Sequence, residues 1–202
     1  MIRNRLVLLG GMLLGGCFGR SAPVEFYMLE PERRAVSGEA VAKQSPGLPL
    51  IAVGPIRIPE YLDRPQIVTA QGRNTYRLDE QHRWAERLDD NLSRVLVKNL
   101  ETLVPARQVL ANTSDRGQPA DFRVAVDILE FHMESDGQAL LSAQWRIRKG
   151  SQTLSSQTST LRVAAVAGDY ESQVAALNQC VNRLSRIIAR TILQLPKAVD
   201  QH

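Results

Sequence analysis

The chain has 202 residues, with 25 Lys and Arg against 21 Asp and Glu, a formal charge of +4 and 44% hydrophobic residues. Acids and bases interleave along it, so it carries no footprint for phosphate-backbone binding, and nucleic acid is not an expected partner. The length suits one domain that closes a core without staples, and its two cysteines do not write a disulfide framework.

The first 17 residues have the form of a secretory signal. Arg3 and Arg5 precede a short apolar run that ends in Leu14-Gly15-Gly16-Cys17. A helix of roughly eleven apolar residues is only ~16 Å long against a hydrocarbon core of ~30 Å, too short to span. The last four residues resemble the bacterial lipobox. That resemblance implies cleavage between Gly16 and Cys17, with Cys17 becoming a lipidated (diacylglyceryl, palmitate-bearing) first residue; the alternative is an ordinary cleaved signal with an incidental cysteine. It also implies an outer-membrane destination, because Phe18 stands where an aspartate would act as an inner-membrane retention signal. Loss of residues 1–16 removes Arg3 and Arg5 and no acid, so the charge falls from +4 to +2 over the remaining 186 residues. Residues 17–23 then form a short tether, and 24–196 form a single domain.

Residues 24–30 read as a short strand in which Phe26 and Met28 alternate against Tyr27 and Leu29. Residues 31–49, rich in Pro, Gly, Ser and charge, read as an exposed loop. Residues 50–59 are β-branched, and their prolines predict an irregular or edge strand. Strands at 66–70 and 75–78 follow, joined by Gly72-Arg73-Asn74 in a hairpin.

From Arg83 to Val104 the period changes. Trp84, Leu88, Leu92, Val95, Leu96, Leu100 and Leu103 recur at three- and four-residue steps, which predicts an amphipathic helix stopped at Pro105. Residues 107–110 can form a strand, and 111–119 a polar loop. Clear alternation then sets Phe122, Val124, Val126 and Ile128 on one strand face. Asp136-Gly137 marks a turn, Leu141, Ala143, Trp145 and Ile147 face inward from a second strand, and a third follows from 153 to 163, together an antiparallel meander. Gly168-Asp169 predicts an N-cap for a last helix striped by Tyr170, Val174, Leu177, Val181, Leu184, Ile188 and Ile192. Cys180 lies on that stripe as a small buried hydrophobe, with pairing between chains as the alternative. Pro196 ends the helix, and 197–202 is a polar tail. The fold class expected is mixed α/β, a largely antiparallel sheet with two long amphipathic helices packed on it.

Catalytic equipment is scarce. His82, His132 and His202 lack metal-ligand spacing, Asp89 and Asp90 point about 100° apart on a helix, and no phosphate loop or nucleophile elbow occurs. Neither a catalytic nor a cofactor or metal site is expected. A periplasmic hydrolase would need a polar cleft around His132 with a neighbouring nucleophile.

The block Ile58-Pro59-Glu60-Tyr61-Leu62-Asp63-Arg64-Pro65-Gln66-Ile67-Val68, followed by His82-Arg83-Trp84-Ala85-Glu86-Arg87-Leu88, resembles the auxiliary lipoprotein family of ABC-type intermembrane transport systems, and the likeness runs from the lipobox to the closing helix. One departure is Arg87, where the family pattern often has proline. The resemblance implies a non-enzymatic, periplasm-facing outer-membrane lipoprotein. It would work with an MCE-domain protein and inner-membrane partners to move lipids, and would assemble as a homo-oligomeric ring. A lipid-binding carrier with an internal apolar cavity is the alternative. Tyr61, Asp63, Arg64, Arg83 and Trp84 form the candidate partner surface. Prolines 59 and 65 stiffen the Tyr61–Arg64 block, which either presents interface anchors or packs locally on the sheet. Trp84 is either core or the lip of a groove.

Overall fold

The computed structural model describes residues 23–33, 47–111 and 120–195. The expected signal segment, Gly16 and Cys17, much of the 31–49 loop, most of the 111–119 loop and the 197–202 tail lie outside the described residues. No helix among the described residues is long and apolar enough to cross a membrane.

Eight strands form one mixed sheet: β1 (Glu25–Tyr27), β2 (Leu50–Arg57), β3 (Gln66–Ala70), β4 (Tyr76–Trp84), β5 (Gln108–Ala111), β6 (Phe122–Met133), β7 (Gln138–Lys149) and β8 (Gln152–Ala164). Helix α1 (Leu88–Leu103) lies between β4 and β5, and α2 (Tyr170–Gln194) ends the described fold. The longest ladders are the antiparallel pairs β6/β7 and β7/β8, which make the expected meander. Strand β6 gives one edge to β7. Its other edge is shared, the first half with β2 and the end, at Met133, with β3, both parallel. Strand β5 adds to β2, and β4 and β1 add beyond β3.

Alternation explains the inward row. Val124, Val126, Leu141, Ala143, Trp145 and Ile147 are fully buried, because a pleated strand turns every second side chain to one face. Helix α1 packs on β2 and β5, α2 packs on β6, β7 and β8, and the helices touch each other. Val95, Leu96 and Leu100 of α1 and Val181, Leu184 and Ile188 of α2 fill the space between helices and sheet. The opposite face of β6 and β7 carries charged side chains, and Arg146 Nη2 meets Asp127 Oδ2 at 2.6 Å across the ladder.

Gly137 and Gly150, both with positive φ, turn the two meander hairpins, a backbone region that a Cβ disfavours. Asp169 caps α2, its carboxylate accepting the Ser172 amide at 3.1 Å.

Three expectations need correction. The strand at 50–57 is irregular, as one of its two expected forms had it, but it is not an edge strand, since it lies between β5 and β6. Its proline is accommodated because the register shifts between Val53 and Ile56, so the ladder does not need a donor from Pro55. The strand expected at 75–78 runs on to Trp84, and α1 therefore begins at Leu88 rather than Arg83. Trp84 and Leu88 are four residues apart and both buried, which imitates a helical step. Here the burial of Trp84 comes from strand pairing, with its amide bonded to Pro65 O at 2.7 Å and Ala85 N bonded to Tyr27 O at 2.8 Å. The first strand is also shorter than expected, since the chain leaves the sheet after Tyr27 and sends Leu29 into the core.

Candidate functional site

The block between β2 and β3 folds as a single 3₁₀ turn at Glu60–Leu62. Leu62 N bonds to Pro59 O at 2.9 Å and Asp63 N to Glu60 O at 3.1 Å, while the Leu62 side chain is buried and pins the turn. Tyr61 is half-buried. Its ring stacks on Tyr76 at 5.2 Å, and His132 meets both rings edge-on. The Tyr61 hydroxyl lies 3.4 Å from His132 Nδ1.

Burial sets the protonation of this cluster. His132 is 4% exposed, and desolvation holds its imidazole below the usual range, against a smaller opposing pull from Glu130 and Glu134. Burial, with help from Tyr76, pushes the Tyr61 phenol up to about 12. Both groups are thus neutral at pH 7, and His132 sits in an aromatic enclosure.

Asp63 is exposed, with Oδ1 3.5 Å from Arg87 Nη2. Arg87 is the residue that opens α1, with φ −57° and ψ 134° and no side-chain cap. A pyrrolidine ring fits that φ, so the arginine that departs from the family pattern occupies a backbone position open to proline. Arg64 is partly buried, and its Nε is shielded from solvent without a hydrogen-bond partner among the described residues. Arg83 donates to the Glu80 carbonyl at 2.9 Å and to the Glu80 carboxylate at 2.6 Å. The structure thus brings Tyr61, Asp63 and Arg64 together on one turn and places Arg83 on β4. Trp84 is only 6% exposed and stacks on Phe131 at 6.2 Å between centroids. It is core, which leaves little of it to meet a partner or line a groove.

A second set of residues escaped the sequence reading. Asn91 of α1 accepts from Leu29 N at 2.8 Å and donates to Leu29 O at 3.0 Å. Asn178 of α2 accepts from Glu30 N at 2.9 Å, and Asn99 of α1 accepts from Glu32 N at 2.8 Å. Asn99 also donates to Asn182 and Ser185 across the helix pair, and Arg186 clasps the Glu32 carboxylate. Residues 25–32 are therefore fastened to β4, α1 and α2. The available signal was the polar amides Asn91 and Asn99 beside the apolar stripe of α1, which a pattern of hydrophobic steps passes over.

Beside this strap, His82 stacks flat on Tyr170 at 3.6 Å. The Tyr27 hydroxyl lies 3.0 Å from His82 Nδ1 and donates to Glu25 at 2.6 Å. Tyr170 donates to Asp79 at 3.0 Å. Burial, then the Asp79 carboxylate, pushes the Tyr170 phenol up to about 12. The cluster joins β1, β4 and the first turn of α2 through side chains 55 and 91 positions apart in sequence.

Cys180 is fully buried, with Sγ 3.7 Å from Ala139 O, and burial pushes its thiol up to about 11. Depressions lined by described residues open to solvent. One, of about 410 Å³, lies between β8 and α2 against Val163, Ser172, Asn178 and Asn182. Another, of about 490 Å³, lies by the β6–β7 turn against Thr69, Glu134, Ser135 and Gln173.

Among the described residues, a mixed sheet backed on one face by two helices holds its own N-terminal segment through Asn91, Asn99, Asn178 and Arg186. The family described as the ABC-type transport auxiliary lipoprotein component matches residues 27–189, and the chain belongs to it. The role of that family is auxiliary and non-enzymatic. The chain is 25% identical over 195 residues to the protein named intermembrane transport lipoprotein PqiC of Escherichia coli (strain K12), covering 96% of this chain and all of the relative. The Shigella flexneri protein of the same name matches equally. Among solved structures, one titled as an uncharacterized protein superposes with a TM-score of 0.68 at 23% identity, over 85% of this chain and 99% of that one. A Xanthomonas campestris protein superposes with a TM-score of 0.64 at 17% identity, over 84% and 95%. These two show the fold.

Proposed function

We propose that this transport auxiliary lipoprotein is held to the outer membrane by lipid on Cys17, faces the periplasm, and serves as a tethered docking subunit for an MCE-domain partner of an intermembrane lipid transport system. Residues 17–23 are its leash, and the docking surface is centred on Tyr61, Asp63 and Arg64. The body acts as a homo-oligomeric ring that receives the end of the partner.

The observation that carries this reading is the strap at 25–32. A tethered dock has to pass any pull between anchor and partner through the first residues after the leash, and those residues are hydrogen-bonded to both helices and paired with β4. A short leash also replaces a free search with a local one, at an effective concentration on the order of millimolar. The carrier reading draws less support, because among the described residues the side chains between helices and sheet form one continuous buried apolar cluster.

The test is Cys17→Ser with fractionation of envelopes and capture of co-purifying proteins. The body is expected to leave the membrane fraction while keeping its unfolding transition, and transport function is expected to be lost. Full function from a released form would refute the tether. Native mass spectrometry addresses the carrier reading, since a retained ligand of lipid mass would favour it.

A further inference from the structure

Along β1 and the residues that flank it, side chains meet two fates. Tyr27 turns inward and Leu29 beyond it is fully buried, whereas Val24, Phe26 and Met28 point outward and are 43%, 64% and 41% exposed. A solvent-facing row on a sheet margin is ordinarily polar, because an apolar row on a sparsely paired strand invites association. Strand β1 pairs only with β4 among the described residues. Its outward row is therefore an apolar stripe that the described residues leave exposed.

The position of the stripe along the chain identifies what covers it. Seven residue steps separate Cys17 from Val24, which reach at most about 25 Å when fully extended. A domain of this size is roughly 40 Å across. Of the whole body, β1 is thus the element confined nearest the lipid-bearing residue, and the strap described above prevents it from peeling away to lengthen the leash. Arg83 stands cross-strand from Phe26 in the parallel register, on the same face, and its exposed partner Glu80 keeps this neighbour polar. An aromatic and two aliphatic side chains flanked by an arginine match the boundary between acyl chains and headgroups, where apolar groups insert and guanidinium groups meet phosphates.

We infer that the outward stripe formed by Phe26 of β1 and by Val24 and Met28 on either side of it is a membrane-contact stripe that seats the body on the lipid surface, with Arg83 at headgroup depth. This inference rests on the tethered-lipoprotein reading and adds an orientation to it. The body does not swing freely on its leash but lies with the β1 margin on the bilayer, leaving the Tyr61–Arg64 turn as the part of the docking surface offered to a partner. Arg83 then belongs to the lipid-facing edge.

The test uses the full lipidated chain in vesicles of phosphatidylethanolamine and phosphatidylglycerol, with Phe26→Cys carrying an environment-sensitive nitrobenzoxadiazole probe. Cys17 is blocked by its lipid and Cys180 is buried with a raised thiol pKa, so the probe attaches at position 26. Thr158→Cys, at an exposed position on β8, is the control, and Met28→Cys is a second reporter should the first variant fold poorly. The expected result is blue-shifted emission at 26 and 28 and several-fold stronger quenching by doxyl-labelled lipid than at 158. Emission and quenching equal to those at 158 would overturn the inference, as would a blue shift shielded from doxyl lipid, which would put the stripe against protein instead. Intact mass of the same sample reads the lipid on Cys17 independently. A lipid-free Cys17 sinks the tether reading and this inference with it, whereas a lipidated chain with an aqueous probe at 26 overturns this inference alone.

Discussion

His132 shows how a single residue can look chemical in sequence and be structural in space. A histidine flanked by Glu130 and Glu134 suggests a titrating site, but the ring is enclosed by Tyr61 and Tyr76 and desolvation depresses its pKa. The linkage has a definite sign. Above the unfolded value of ~6.5 both states hold a neutral ring, and below it the unfolded chain binds a proton that the folded chain resists, so stability falls as the pH drops through the window between the two values. The urea midpoint is therefore expected to decline between pH 7 and pH 5.5, and His132→Phe to flatten that decline. An equal decline in the variant would assign the effect to other groups. Nothing in the local sequence announced the enclosure, since Tyr61 and Tyr76 come from a turn and a strand more than fifty positions away.

At the scale of elements, periodicity located most of what the structure contains. The stripe from Leu88 to Leu103 and that from Tyr170 to Ile192 are the buried faces of α1 and α2, and the alternation at 122–128 and 141–147 is the inward row of the meander. Ambiguity arose where two periods share a residue. Trp84 fits the helical stripe of α1 by spacing and the inward row of β4 by alternation, and the pairing with β1 and the bond to Pro65 O decide for the strand. The strap is also an element-scale device. Asn91→Ala removes both bonds to Leu29, whose carbonyl keeps a contact from Arg94 at 3.3 Å but whose buried amide is left alone. The expected loss is about 1–3 kcal/mol, read by chemical denaturation. A change within experimental scatter would mean that the N-terminal segment is not coupled to the helices.

For the molecule as a whole, the question is whether the body opens as one unit. Cys180 reports on this because it lies on the inner face of α2 against β7 and β8, and its thiolate is scarce at neutral pH. Alkylation by iodoacetamide in native buffer is expected to be slower than in the unfolded chain by orders of magnitude, and to rise with urea in step with global unfolding. Labelling at the unfolded rate without denaturant would instead show α2 detaching from the sheet by itself. Residues 25–32 connect to the turn at 59–65 through β4 and β3.

By itself the sequence determined the class of fold and the family, and for a physical reason. Helix and strand periods, cap and turn residues, and the charged-apolar-small start are local patterns that need only neighbours within a few positions, and the Tyr61–Pro65 and Arg83–Glu86 blocks carried the family likeness. Tertiary structure alone decided that β2 is interior, that Trp84 is core, that three asparagines fasten the N-terminal strap, and that Val24, Phe26 and Met28 remain exposed. Those facts depend on which distant segment arrives at each face. Pairing partners and burial are properties of the closed sheet, not of any stretch of the chain.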